Sequence, residues 1–135
     1  MDLVTDLPES EGKTAIAVFV DRLTKMTHLV PCTKEVTATQ YAWLFVNNVF
    51  WLHGMPEVII SDRDPKFVSK FWTELFSILG TGLRFSIAFH PQTDGQSEGT
   101  IRVLENFLRP YVEHRPSTWV NQLPLAEFAV NNAVK

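Results

Sequence analysis

The chain has one cysteine, no apolar run near membrane-spanning length and no surplus of positive charge. Each shortage removes a class of function. Cys32 has no partner for an internal disulfide, so a reducing, intracellular setting is expected, with Cys32 itself a small core or strand residue. No stretch approaches the roughly 20 apolar residues of a membrane span. The acidic N-terminus lacks the basic flank of a secretory signal. His28, His53, His90 and His114 are dispersed, which with a single cysteine argues against a structural zinc site of about four ligands. The net charge of −3 excludes a domain that grips nucleic acid by bulk charge alone. Repeats and low-complexity tracts are missing as well.

What is present suits a single globular domain. At 135 residues with 45% hydrophobic content, the chain can bury a substantial core. Residues 1–5 read as the end of a strand, residues 8–12 as a turn, and the apolar run Thr14–Val20 as a strand covered on both faces. A reversal at residues 21–24 returns a third strand over 26–31, giving an antiparallel meander. Thr37 is the expected N-cap of a helix burying Ala38, Ala42, Phe45, Val49 and Leu52, stopped at Gly54 and followed by Pro56. Trp43, Phe50 and Trp51 fall off that face. Residues 57–61 form a buried fourth strand, reached by a parallel crossover. Ser69 is the expected cap of a helix with Phe71, Trp72, Leu75, Phe76 and Leu79 inward, stopped at Gly80. Leu83–Phe89 alternates as a fifth strand, and residues 90–97 form a loop. Glu98 opens a helix with Ile101, Leu104, Leu108 and Tyr111 inward, which Pro110 kinks or ends. Ser117 caps a last helix that Pro124 divides.

Three carboxylates fall at the ends of these elements. Asp2 lies beside an apolar stretch, Asp62 ends the run Val58-Ile59-Ile60-Ser61, and Glu98 stands in the first turn of a helix. Carboxylates so placed could converge on a divalent metal of the magnesium type, which prefers hard oxygen ligands. Two such ions about 4 Å apart can clamp both oxygens of an in-line phosphoryl displacement. Each acid also has an ordinary reading: Asp62 as a turn residue, Glu98 as a helix-dipole partner, Asp2 as a solvent-exposed terminal acid. Asp64 and Asp94 are competitors that precede Pro65 and Gly95 and suit turns. The basic residues Arg63, Lys66, Lys70, Arg84, Arg102, Arg109 and Arg115 all lie in the second half.

Met1-Asp2-Leu3-Val4, Ser61-Asp62-Arg63-Asp64-Pro65-Lys66-Phe67 and His90-Pro91-Gln92-Thr93-Asp94-Gly95-Gln96-Ser97-Glu98 together resemble the catalytic core of a retroviral-type integrase from a gypsy-class LTR retrotransposon. Val20–Met26, Lys70-Phe71-Trp72 and Leu123–Ala129 agree with it. The resemblance implies a ribonuclease-H-like α/β fold, a five-stranded mixed sheet flanked by helices, formed by residues 1–135 as one domain with its first strand cut short. It implies that Asp2, Asp62 and Glu98 are the catalytic and metal-binding triad, holding Mg2+ or Mn2+. Arg63, Lys66, His90, Gln96 and Arg102 would contact DNA, Arg102 lying one turn beyond Glu98. The partners would be retroelement DNA ends and target DNA, met in the nucleus after a cytoplasmic particle stage, with no membrane. Gly99, following Glu98, departs from the family pattern and weakens the helix start by up to ~1 kcal/mol relative to alanine.

The apolar residues of 38–53 and 117–134 exceed what a core requires, and the resemblance points to a homodimer through these segments. Two other readings stay open: a non-catalytic, integrase-derived dimerisation or DNA-binding module, and a ribonuclease-H-like nuclease.

Overall fold

The computed structural model describes residues 1–21, 24–54, 58–79, 88–90 and 95–132. The chain divides into two compact units, one made of Met1–Lys34 with Gly95–Lys135 and the other of Glu35–Asp94.

The first unit holds the expected meander. β1 (Asp2–Val4), β2 (Ala15–Val20) and β3 (Thr27–Cys32) pair antiparallel in the order β1-β2-β3. β2 is central, and Ala15 to Phe19 are buried on both faces. Against the sheet pack α4 (Gly95–His114) and α5 (Trp119–Asn132), which follows a 3-10 turn over Pro116–Thr118. Their core combines Ile16, Val18 and Leu29 with Leu104, Leu108, Trp119, Leu123, Ala126 and Val130. The α5 contributors recur every three or four residues, as one buried helix face must. Between β1 and β2 the chain makes a two-residue turn. Ser10 and Lys13 exchange both backbone hydrogen bonds at 2.9 Å around Glu11 (φ 51°) and Gly12 (φ 77°). Positive φ at both central residues matches the right-handed twist of the flanking strands, and glycine tolerates it without strain.

This hairpin is tied to the start of α5. The buried Ser10 hydroxyl donates to Ser117 O at 2.7 Å and accepts from Val120 N–H at 3.2 Å. Trp119 Nε1–H donates to Pro8 O. An early amide of α5 is therefore satisfied from the hairpin, whereas Ser117 was expected to cap this helix.

β3 is the outer strand, and its outward backbone groups face α5. Asn131 Oδ1 accepts from Thr27 N–H at 2.7 Å while Asn131 Nδ2 donates to Thr27 O at 3.1 Å. Glu127 Oε1 accepts from Leu29 N–H at 2.8 Å. The next outward residue, Pro31, has no N–H to satisfy. Charged and amide side chains thus close a strand edge that would otherwise invite pairing with another strand.

In the second unit α1 (Ala38–Phe45) begins at the expected Thr37 with a full capping box. Thr37 Oγ1 accepts from Gln40 N–H at 3.2 Å, and Gln40 Oε1 accepts from Thr37 N–H at 2.9 Å. A π-helical segment over Val46–Phe50 leads into α2 (Trp51–His53), ended by Gly54 at φ 72°. β4 (Val58–Ile60) runs parallel to β5 (Ala88–His90), with α3 (Pro65–Leu79) in the crossover. α1 and α3 meet through aromatic edges: Tyr41 and Phe45 stand edge-on to Phe71 at 5.8 and 6.0 Å.

Several sequence expectations need correction. Leu52 is 66% exposed. The π turn holds more residues than an α turn and shifts the face beyond it, which turns Leu52 outward; Ala38, Ala42, Phe45 and Val49 are buried as expected, and Tyr41 and Val46 join them. α3 is capped by Asp64, not Ser69: Asp64 Oδ1 accepts from Lys66 N–H at 2.6 Å with Pro65 as the first helical residue, a position proline's fixed φ favours. α4 starts at Gly95, so Gln96 and Ser97 are helical, and His90 closes a strand. Neither Pro110 nor Pro124 ends its helix. Both are exposed; Pro124 lies between the buried Leu123 and Ala126, and Pro110 between the buried Leu108 and the half-buried Tyr111 and Val112. Residues 83–87 of the expected fifth strand, Pro56, Gly80 and residues 91–94 lie outside the described residues.

Asn131→Ala removes both of its hydrogen bonds to the fully buried Thr27. Urea unfolding should show a loss of about 1–3 kcal/mol; an unchanged midpoint would mean that the β3 edge does not depend on α5.

Candidate active site

The turn from β4 into α3 is built by four consecutive residues. Ser61 is fully buried, and its Oγ accepts from Arg63 N–H at 3.1 Å, which bends the chain immediately after the strand. Asp64 caps α3 as described. Between these two fixed points Asp62 is exposed. The end of a strand feeding a helix is where α/β proteins present ligand-binding groups. Arg63 is half-buried, with its guanidinium carbon 4.2 Å above the Phe67 ring. Phe67 stands edge-on to the buried Tyr41 at 5.6 Å. Lys66 is exposed on the solvent side of α3, where Pro65, Lys66, Ser69, Lys70, Thr73 and Glu74 line a shallow groove.

The first unit carries the other two acids. Asp2 lies in β1 opposite Val18 of the central strand and is only 5% exposed. Pairing with β2 draws Asp2 into the sheet, against its ordinary reading as a solvent-exposed terminal acid. Burying a carboxylate is costly unless its charge is compensated. Glu98 lies in the first turn of α4, and Arg102, one turn further, is exposed. The side chains of His90, Gln96 and Glu98 lie outside the described residues.

Asp62, Arg63 and Lys66 are thus gathered on one strand–turn–helix element, while Asp2 and Glu98 belong to the other unit. Among the described residues no group of three His, Cys, Asp or Glu side chains lies close enough to hold a metal, a set that does not include the Glu98 carboxylate. The donor chemistry fits a hard cation: Asp2, Asp62 and Glu98 offer oxygen alone, the ligand set of magnesium or manganese, not of zinc. Sequence reasoning missed Ser61, Phe67 and Tyr41. The Arg63–Phe67 spacing of four residues was the available signal for the second of these.

A family model described as integrase core domain matches residues 1–91. Over 134 residues, 99% of this chain, there is 42% identity to the Transposon Tf2-3 polyprotein of Schizosaccharomyces pombe and equally to the Tf2-4 polyprotein. The chain spans 10% of the length of these relatives. Among solved structures it is similar to the HTLV-2 integrase catalytic core domain in complex with magnesium, in its dimeric form. That likeness has a TM-score of 0.64 and 19% identity, covering 98% of this chain and 87% of that one. It is also similar to a simian T-cell lymphotropic virus intasome in complex with the PP2A regulatory subunit B56 gamma, with a TM-score of 0.66 and 19% identity, covering 98% of this chain and 49% of that one. At such identities the likeness is one of fold, and the fold is ribonuclease-H-like.

Gly99 is exposed, and a Cβ built there meets nothing within 4 Å. Among the described residues no close approach requires glycine in the turn that carries Glu98. Gly99→Ala should raise stability by about 0.5–1 kcal/mol in chemical denaturation; no gain would show that helix propensity does not limit this end of α4.

Proposed function

The chain belongs to the integrase core domain family, and from that premise we propose that residues 1–135 act as one catalytic core for metal-dependent polynucleotidyl transfer. Membership places the chain in DNA integration, in the polynucleotidyl transferase and nuclease class. The finer reading is 3′-end processing of retroelement DNA followed by strand transfer into target DNA. The observation that carries it is the exposed Asp62 carboxylate, fixed between the Ser61 turn and the Asp64 cap at the end of β4.

Asp2, Asp62 and Glu98 would hold one or two Mg2+ or Mn2+ ions, which when bound activate the attacking oxygen and offset charge on the phosphate. No side chain needs to act as a nucleophile. In processing, water attacks a phosphodiester near the DNA end and the freed 3′-oxygen leaves as a hydroxyl. In strand transfer that hydroxyl attacks a target phosphodiester, displacing the 3′-oxygen of the target strand. Arg63, Lys66, His90, Gln96 and Arg102 orient the phosphates. Twelve basic residues against 15 acidic ones give weak DNA binding that falls with salt. The site of action is the nucleus, after a cytoplasmic particle stage.

A second feature supports assembly. Trp51 is 77% exposed beside Leu52, and on α5 Leu125 and Phe128 are 58% and 68% exposed. Large apolar side chains exposed beside one another commonly mark interfaces. The partner is a second copy of the chain, joined through residues 38–53 and 117–134 in an isologous contact.

Asp62→Asn keeps the side chain's size and removes its anionic charge. Magnesium-dependent disintegration by the chain should fall to background with thermal unfolding unchanged; retained activity would rule out Asp62 as a metal ligand. Trp51→Glu should shift the sedimentation profile toward monomer. A wild-type chain already monomeric at high micromolar concentration would defeat the dimer.

A further inference from the structure

Arg63 is held more tightly than a surface arginine and has less to bind than a structural one. Its backbone N–H is fixed by Ser61 Oγ, and its guanidinium lies 4.2 Å over Phe67, whose ring is in turn fixed edge-on (81°) against buried Tyr41. Asp62 and Asp64 flank it in sequence, yet among the described residues no carboxylate pairs with the guanidinium and none of its N–H groups is hydrogen-bonded. One face of the planar cation is therefore occupied by an aromatic ring while its N–H edge remains available. An edge of that shape matches two oxygens of a carboxylate or phosphate. Stacking on the ring lowers the entropy lost when the pair forms.

We propose that Arg63 is a pre-oriented clamp for a DNA phosphodiester beside Asp62, and that Phe67 is the positioning residue that holds it. This rests on the proposed function and names the device that seats the phosphate next to the carboxylate. Asp62 and Asp64 repel a phosphodiester and a carboxylate alike, so charge does not choose between them; the phosphodiester is chosen because the proposed function brings DNA to Asp62. In duplex DNA every position offers a phosphate.

The test is duplex binding by the chain in EDTA, followed by fluorescence anisotropy across a salt series, so that metal chemistry does not enter. Arg63→Ala should weaken binding roughly tenfold and reduce the slope of log K against log salt by about 1. Phe67→Leu should weaken binding several-fold, and Phe67→Tyr, which restores the ring, should bind within about twofold of wild type. In the Arg63→Ala background, Phe67→Leu should add nothing further, as a double-mutant cycle requires of a residue acting through its partner. If Phe67→Leu fails to fold, Arg63→Ala and Phe67→Tyr still decide the matter. Unchanged affinity and slope in Arg63→Ala would overturn the clamp. An equal loss from Phe67→Leu with and without Arg63, or a Tyr variant as weak as Leu, would overturn the positioning role. Wild type showing no duplex affinity would sink the parent reading together with this one; affinity insensitive to Arg63 sinks this one alone.

Discussion

The outer edge of β3 is the constraint on which the first unit depends. A strand at a sheet edge presents one N–H and one C=O every second residue, and buried groups of this kind must find partners. Thr27 and Leu29 are two residues apart on the strand, a separation of about 6.6–6.8 Å. Asn131 and Glu127 are four apart on α5, about 6 Å along a helix axis. The two spacings nearly coincide, so one helix face can satisfy both strand positions when α5 runs antiparallel to β3, as the pairing Thr27–Asn131 and Leu29–Glu127 requires. This match fixes the rotation of α5. With Glu127 and Asn131 turned to the strand and Leu123, Ala126 and Val130 turned to the core, Leu125 and Phe128 are left in solvent. The exposed apolar face proposed for dimerisation is a consequence of how the sheet edge is closed.

In the second unit the organising contact is aromatic. Tyr41 touches Phe67 and Phe71 edge-on, and Phe45 joins Phe71. Aromatic pairs in this geometry add about 0.5–1.5 kcal/mol beyond area burial, and rings have few rotamers to lose. Phe67 lies one turn into α3, so the same network that packs α1 on α3 reaches the turn bearing Asp62. Core packing and presentation of the acid are carried by the same residues.

The sequence shows its local features well and its distant ones poorly. The meander, the Thr37 cap, the Gly54 stop and the strand ending at Asp62 depend on neighbours within a few residues. Ser69 was preferred as a cap because hydroxyl caps are common, yet Asp64 followed by Pro65 combines a stronger acceptor with a pre-set φ. Leu52 was placed inside by a strict α period, which a π segment breaks without any marker residue. Pro110 reads as a kink or an end and Pro124 as a division because a proline costs a hydrogen bond locally, whereas both helices run on with buried or half-buried apolar residues on either side of each. The tie of Glu127 and Asn131 to β3 joins residues about a hundred positions apart and has no local signature, although Glu127 lies in a stretch that the family resemblance singled out. Of the candidate site residues, Asp62, Arg63 and Lys66 lie together on one strand–turn–helix element. The meander places Asp2 opposite β2, but its burial is less legible, because an acid near the start of a sequence ordinarily reads as exposed.

The acidic balance of the chain bears on how it would meet DNA. A net charge of −3 gives no long-range attraction to a polyanion, and salt screens what remains beyond about 10 Å. Affinity must then come from contacts at short range, where geometry matters more than total charge. Under that condition a flexible lysine contributes less than a cation whose orientation is fixed before the ligand arrives, because each ordered side chain costs about 0.5–1.5 kcal/mol on binding. Arg63 stacked on Phe67 meets this condition, and Lys66, exposed on α3, does not. Three of these acids, Asp2, Asp62 and Glu98, are the groups proposed to bind divalent ions, and each ion held would move the local balance toward DNA. On the proposed function, binding would then be weak without metal and stronger with it, and the seating of DNA would be coupled to the ion that the three acids are proposed to hold.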